Sequence, residues 1–179
     1  MKFIKDLLFF ETNTTGPDLD KDNIIQLSAV LLDKDNLLEK DFFNSYVRIS
    51  YLDSLLLAHS KLLNIEYEAM KKSPKTSEAV KNFHNRFNPA LILLATHSMS
   101  NLLFLKSTFK KAFVPFDYNH HTIDLWTLGY VYTLNYGLKK MPSLQTFLDY
   151  FKLKQKHQAD SLERARLEAE IFRKIIREA

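Results

Sequence analysis

Hydrophobic positions along this chain follow two periods in succession. Asp6 to Thr12 is a short apolar run of the kind a buried strand makes. Thr14-Thr15-Gly16-Pro17-Asp18 is a turn signal. Asn23 to Leu32 is apolar and β-branched and reads as a second strand, Asp33 to Asn36 as a turn, and Asp41 to Ile49 as a third strand. Three strands joined by two short turns predict a meander. The spacing then lengthens. Leu52 to Leu63 and Ser77 to Phe87 place apolar residues at helical intervals, punctuated by Pro74 and Pro89. Ala90 to Ala95 is short, apolar and bounded by a proline, which suits a buried parallel strand. Asn101 to Phe113 is helical, with Leu102, Leu105, Phe109 and Phe113 on one side. His121 to Asp124 is a brief strand, followed by helices over Leu125 to Leu134 and Ser143 to Phe151. Asp160-Ser161-Leu162-Glu163 has capping-box form. It opens a last helix with an apolar stripe of Leu162, Ala165, Ala169, Phe172 and Ile176. The order predicts an α/β fold with a mixed sheet flanked by helices.

Composition narrows the class. The chain has 179 residues, three glycines and no linker-like stretch, so one domain over 1–179 is expected. At 46% hydrophobic and 26% charged it is not a disordered chain. No apolar run approaches the roughly 20 residues of a membrane span, and no membrane partner is expected. The start of the chain has no signal-peptide pattern, which gives a cytoplasmic expectation. The absence of cysteine excludes disulfide frameworks, thiolate zinc sites and cysteine nucleophiles. A net charge of +4 and a pI near 9.1 mildly favour an anionic partner, although ordinary surface chemistry also accounts for them.

The motifs, taken in order, resemble the DEDDh 3′-5′ exonucleases, the group of ribonuclease T, oligoribonuclease and the proofreading subunits of bacterial replicative polymerases. Phe10-Glu11-Thr12-Asn13-Thr14-Thr15-Gly16 resembles the opening F-D-x-E-T-T-G, and Ile24-Ile25-Gln26-Leu27-Ser28-Ala29-Val30 the strand after it. Ala95 to Leu105 aligns without gaps with A-H-N-x-x-F-D-x-x-F-L. Ile123-Asp124 resembles the family's I-D-T strand, and His157 to Glu163 its H-x-A-x-x-D-A motif. The resemblance spans roughly residues 5 to 177. It implies a ribonuclease-H-like exonuclease fold with a mixed five-stranded sheet.

It also implies a site, and here the chain departs from the pattern. The family holds two divalent metals on four carboxylates and uses a histidine as general base. Carried over position by position, the carboxylates fall on Glu11, Asn13, Asn101 and Leu162, and the histidine on His157. Thr96, His97 and Ser100 replace the second motif's His, Asn and Phe. Two Mg²⁺ ions about 3.5–4 Å apart repel each other, and negatively charged oxygen ligands offset that repulsion. Of the four positions only Glu11 keeps a charge, with an added methylene, so Glu11 is the one metal ligand expected, and a weak one. Of the nearby carboxylates, Asp160 reads as a helix cap, Glu163 reaches the site only with a register shift, and Asp18, Asp20 and Asp22 only if their loop folds over it.

Other candidates keep two readings. His157 is a general base or a loop histidine at a helix start. Thr14 and Thr15 meet a 3′ nucleotide through their turn or simply make the turn. Lys154 and Lys156, with Lys139-Lys140 and Lys110-Lys111, are a basic rim for nucleic acid or a solvated face. The resemblance implies nucleic acid, at a single-stranded 3′ end, as partner, and admits a homodimer. Three functions follow. The first is an exonuclease-like protein that binds nucleic acid with impaired or lost catalysis and no tightly bound cofactor. The second is an active Mg²⁺- or Mn²⁺-dependent exonuclease with a non-standard site. The third is a non-catalytic interaction subunit.

Overall fold

Every residue of the second strand is buried, because the sheet it belongs to is covered on both faces. The computed structural model describes residues 2–49, 58, 61, 67–135, 137, 141–156 and 160–178. Strands β1 (Asp6–Thr14), β2 (Ile24–Leu32) and β3 (Glu39–Tyr46) form the expected antiparallel meander. Helices α1 (Tyr67–Lys72) and α2 (Thr76–Arg86) lead to β4 (Ile92–Thr96), which pairs parallel with β1. Helix α3 (Met99–Lys111) precedes β5 (Ile123–Asp124), parallel to β4. Helices α4 (Leu125–Asn135), α5 (Leu144–Tyr150) and α6 (Ser161–Glu178) complete the order. The sheet runs β3-β2-β1-β4-β5. It is the mixed five-stranded sheet with flanking helices of the ribonuclease-H-like exonuclease fold.

Strand alternation builds two cores. Leu8 and Phe10 of β1 face one way, onto Phe83 of α2 and Phe109 of α3. Leu7 and Phe9 face the other way, onto Phe147 of α5 and Ala165, Ala169 and Phe172 of α6. The two alanines bring α6 close to the sheet. Gly129 lets α4 lie close against α5, since a Cβ there would lie 2.0 Å from the Phe147 ring.

Several bounds differ from expectation. β1 runs two residues further, to Thr14, because Asn13 and Thr14 still pair with β2 across a bulge. β3 ends at Tyr46 rather than Ile49, although Val47 still bonds to Ile25. The helix expected over Leu52 to Leu63 lies almost wholly outside the described residues. The last helix is capped by Asp160, whose Oδ1 accepts from Leu162 N–H at 2.9 Å. Glu163, the other half of the expected capping box, accepts from Lys156 N–H at 2.5 Å. α3 stops at Lys111, and Phe113 follows it in the left-handed region at φ 55°.

Candidate active site

Alternation along β1 decides what faces what at its carboxyl end. Leu7 and Phe9 point toward α6, so Glu11 and Asn13 do as well; Thr12 and Thr14 point toward α3. Opposite Glu11 and Asn13 on β2 stand Ser28 and Gln26. The apolar layer under α6 therefore gives way to a polar one at this end of the sheet.

The polar layer is closed by internal bonds. Arg164 of α6 donates from Nε to Glu11 Oε2 at 2.9 Å and from its NH2 nitrogen to Asn13 Oδ1 at 2.7 Å. Asn101 of α3 donates to Glu11 Oε1 and, at 3.0 Å, to Thr96 Oγ1. Thr12 Oγ1 donates to Asn101 Oδ1 at 2.8 Å. Asn13 donates to Gln26 at 2.8 Å, Gln26 to Asn44 at 3.1 Å, and Ser28 Oγ lies 2.6 Å from Ser161 Oγ. Glu11 is 6% exposed, which makes its pairing with Arg164 a buried ion pair.

A second buried carboxyl lies beside it. Glu168, one helical turn beyond Arg164, is 0% exposed. Its Oε2 accepts from His97 N–H at 3.0 Å, while Oε1 meets no N–H or O–H donor. The neighbour it does meet is the Glu11 carboxylate, and two carboxyl groups bond only through a proton held on one of them. Burial first, then the Glu11 charge, push Glu168 well above the usual carboxylate range, against the weaker opposing pull of His97 N–H and Arg164. Burial and the neighbouring Glu11 charge thus favour the protonated form of Glu168 over the charged one. Burial likewise lowers His97, against the pull of Glu11 and Asp124, and its ring packs edge-on to Phe147 at 6.3 Å.

The structure brings Glu11, Asn13 and Asn101 together, as the sequence alignment requires. Leu162 packs against the apolar cluster under α6 and has no atom that could ligate a metal. His157 lies outside the described residues, as do Lys139 and Lys140. Thr14 lines a pocket of about 260 Å³ with Thr12, Gly16, Pro17, Ser100, Asn101 and Phe104. Thr15 is turned into its own loop, with Oγ1 donating to Asp22 Oδ1 at 2.8 Å. Asp22 also accepts from Asp18 N–H, and Asp18 from Asp20 and Lys21 N–H, so these loop carboxylates serve the turn. Gly16 is needed there, since a Cβ would lie 2.5 Å from Asp22 Oδ2. Lys154 and Lys156 are exposed on the segment before α6, and neither lines the pocket.

Two divalent cations do not fit this donor set. Both Glu11 oxygens, Asn13 Oδ1 and Asn101 Oδ1 already accept bonds from protein donors, and a guanidinium sits against Glu11 and Asn13. Among the described residues, no cluster of three or more His, Asp or Glu could hold a metal ion. Sequence reasoning missed Arg164 and Glu168 because neither falls on a position of the family motifs, which end at Glu163. A signal was present: Glu168 interrupts the apolar stripe between Ala165 and Phe172, four residues after an arginine.

Residues 8–167 match the family described as Exonuclease, RNase_T. A DNA polymerase III of PolC type from Caldanaerobacter subterraneus subsp. tengcongensis is 28% identical over 171 residues, which are 96% of this chain and 12% of the polymerase. This chain thus spans about an eighth of that relative. Among solved structures, cell-death related nuclease 4 superposes with a TM-score of 0.82 at 16% identity, covering 98% of this chain and 64% of that one. The nuclease domain of 3′hExo, a DEDDh family member bound to rAMP, gives 0.76 at 13% identity, covering 98% and 93%. E. coli Exonuclease I in complex with a dT13 oligonucleotide gives 0.70 at 15%, covering 98% and 41%. Among the described residues no helix is long and apolar enough to cross a membrane.

Proposed function

We propose that this chain, which belongs to the RNase_T family of exonucleases, holds the 3′ end of a single-stranded nucleic acid without efficient, metal-dependent cleavage. The observation that carries this reading is the Arg164 guanidinium bridging Glu11 and Asn13. In the DEDDh pattern these two positions are carboxylates that share metal ions. Here a fixed side-chain cation takes their negative charge, and the ion pair leaves no excess charge to draw in Mg²⁺ or Mn²⁺. Glu168, whose burial disfavours its charged form, does little to change that balance. The pocket beside Asn101 survives this exchange, since Thr12, Thr14, Ser100 and Phe104 line it whether or not metal is present. E. coli Exonuclease I in complex with a dT13 oligonucleotide and the 3′hExo nuclease domain bound to rAMP share this fold, which supports a nucleotide as the occupant. His157 in this reading has no metal-bound water to activate.

The experiment pairs cleavage with binding. End-labelled single-stranded DNA and RNA are incubated in Mg²⁺ and in Mn²⁺, with Glu11→Ala as the contamination control. Binding of the same strands is measured in EDTA. The reading expects binding without shortening. Shortening from the 3′ end that Glu11→Ala removes would instead establish the active reading. One observation favours that alternative: Glu168 is a second carboxyl beside Glu11, available if Arg164 swings away. Absence of binding to either strand would favour a role as an interaction subunit.

A further inference from the structure

We propose that the exposed ridge of α3 extends the pocket into a track for single-stranded nucleic acid that ends on Phe113. The proposal rests on the 3′-end reading above and deepens it by placing the strand upstream of its end.

Met99, Leu103, Lys106 and Lys110 recur at intervals of four and three and so share one side of the helix, and Phe113 follows just past its end. Met99, Leu103 and Lys110 are exposed, and Phe113 is 95% exposed. The helix carries three lysines and no acid. The stripe next to this ridge, Ser100, Phe104, Ser107 and Lys111, faces the pocket and the β1–β2 loop. Ser107 Oγ donates to Leu19 O at 3.0 Å, and Lys111 Nζ to Leu19 O at 2.7 Å and to Asp22 O at 3.0 Å. One rigid element therefore carries the pocket wall at its start and the ridge along its length. Asn101 to Lys111 spans about 15 Å at 1.5 Å per residue, room for a few nucleotides.

Phe113 is the informative residue. It sits just past the helix end at φ 55°, where its N–H bonds to Lys110 O at 3.1 Å and Val114 N–H to Phe109 O at 3.1 Å. That helix stop favours glycine, because a side chain crowds the backbone in the left-handed region. A phenylalanine there is strained, and at 95% exposure its ring recovers little through packing within the fold. Strain kept at an exposed residue points to use outside the fold. An aromatic face beside lysines is what single strands bind, with bases stacking on the ring and phosphates meeting the cations. The charge of the helix and its continuity with the pocket select nucleic acid over a protein helix as the occupant.

The test uses the full chain, in EDTA at low salt, with 5′-labelled oligothymidylates of about three and about fifteen nucleotides. Phe113→Gly suits the left-handed position and so preserves the fold; Lys110→Glu reverses one charge. Each is expected to weaken the long strand by at least about fivefold, the lower end of one stacked base, and to leave the short strand within about twofold. Asn101→Leu is expected to weaken both lengths. Long-strand affinity unchanged in Phe113→Gly and Lys110→Glu, with Asn101→Leu still harmful, would overturn the ridge and leave the 3′-end reading standing. If the unaltered chain bound neither length, both would fall. If the unaltered chain self-associated and Phe113→Gly abolished this without changing strand affinity, the ridge would be reassigned to a second copy of the chain.

Discussion

Arg164 Nε lies 2.9 Å from Glu11 Oε2, joining the last helix to the central strand through a buried ion pair. Its two side chains are 17% and 8% exposed, so solvent screens the pair little. Removing one partner strands the other's charge. Arg164→Met is therefore expected to lower unfolding stability by about 3 kcal/mol, as breaking a buried pair does. The double variant Glu11→Gln with Arg164→Met is expected to recover much of that loss, because neither charge then remains. Urea unfolding of the four proteins measures this directly. Losses that simply add would show that the two side chains are not coupled.

Glu168 gives a pH dependence with a definite sign. Its folded carboxyl holds its proton more tightly than the unfolded one, through burial and the Glu11 charge. Between the unfolded value, near 4.5, and the raised folded value, the folded state binds more protons. Stability therefore falls as pH rises through that window, by at most about 1.4 kcal/mol per pH unit for one group. Glu168→Gln imitates the protonated acid: its amide N–H₂ faces Glu11 and its oxygen accepts from His97 N–H. The variant is expected to melt higher than the unaltered chain at pH 8 and to approach it at pH 5. A constant difference across that range would show that Glu168 titrates normally.

Much of the sheet was legible in the sequence because strand signals here are local. The apolar runs at Leu7 to Phe10 and Ile92 to Ala95, and the turn at Thr14 to Asp18, each fix themselves with neighbouring residues. The alignment of motifs also placed Glu11, Asn13 and Asn101 at one point in space. It could not supply the bonds between them, since Arg164 reaches Glu11 across 153 positions of chain. Leu162 was legible as part of an apolar stripe. Arg164, two residues on, was not, because a residue's role at a strand end depends on which side of the helix meets the sheet.

Gly129 reports on how tightly α4 lies against α5. Alanine is a better helix former than glycine by about 1 kcal/mol, so the substitution would help an isolated helix. Here a Cβ would sit 2.0 Å from the Phe147 ring, which is itself fully buried in the cluster beneath α6. Gly129→Ala is expected to destabilise by about 1–3 kcal/mol, as overpacking does. The companion Phe147→Leu makes room for the methyl, so the pair should lose less than the sum of the two single changes. Chemical unfolding decides it; an unchanged or raised midpoint in Gly129→Ala would mean that the two helices part readily.

If Arg164 stands in for metal ions, reversing the exchange should restore metal dependence. A variant carrying Glu11→Asp, Asn13→Glu, Asn101→Asp, Leu162→Asp and Arg164→Ala would bring four carboxylates to the end of β1 without a counter-cation. Mutual repulsion and desolvation should make it less stable than the unaltered chain in EDTA. Divalent ions that bind only the folded state then raise its melting temperature, by about 2.7 kcal/mol of stability at a hundredfold excess over the dissociation constant. The unaltered chain, its charge already balanced by the guanidinium, is expected to melt at the same temperature in EDTA and in Mn²⁺. Thermal melts of both proteins across a Mn²⁺ series separate the alternatives without relying on nuclease activity. A matching, saturable rise in the unaltered chain would mean that Arg164 yields to the metal, and the non-cleaving reading would fail with it.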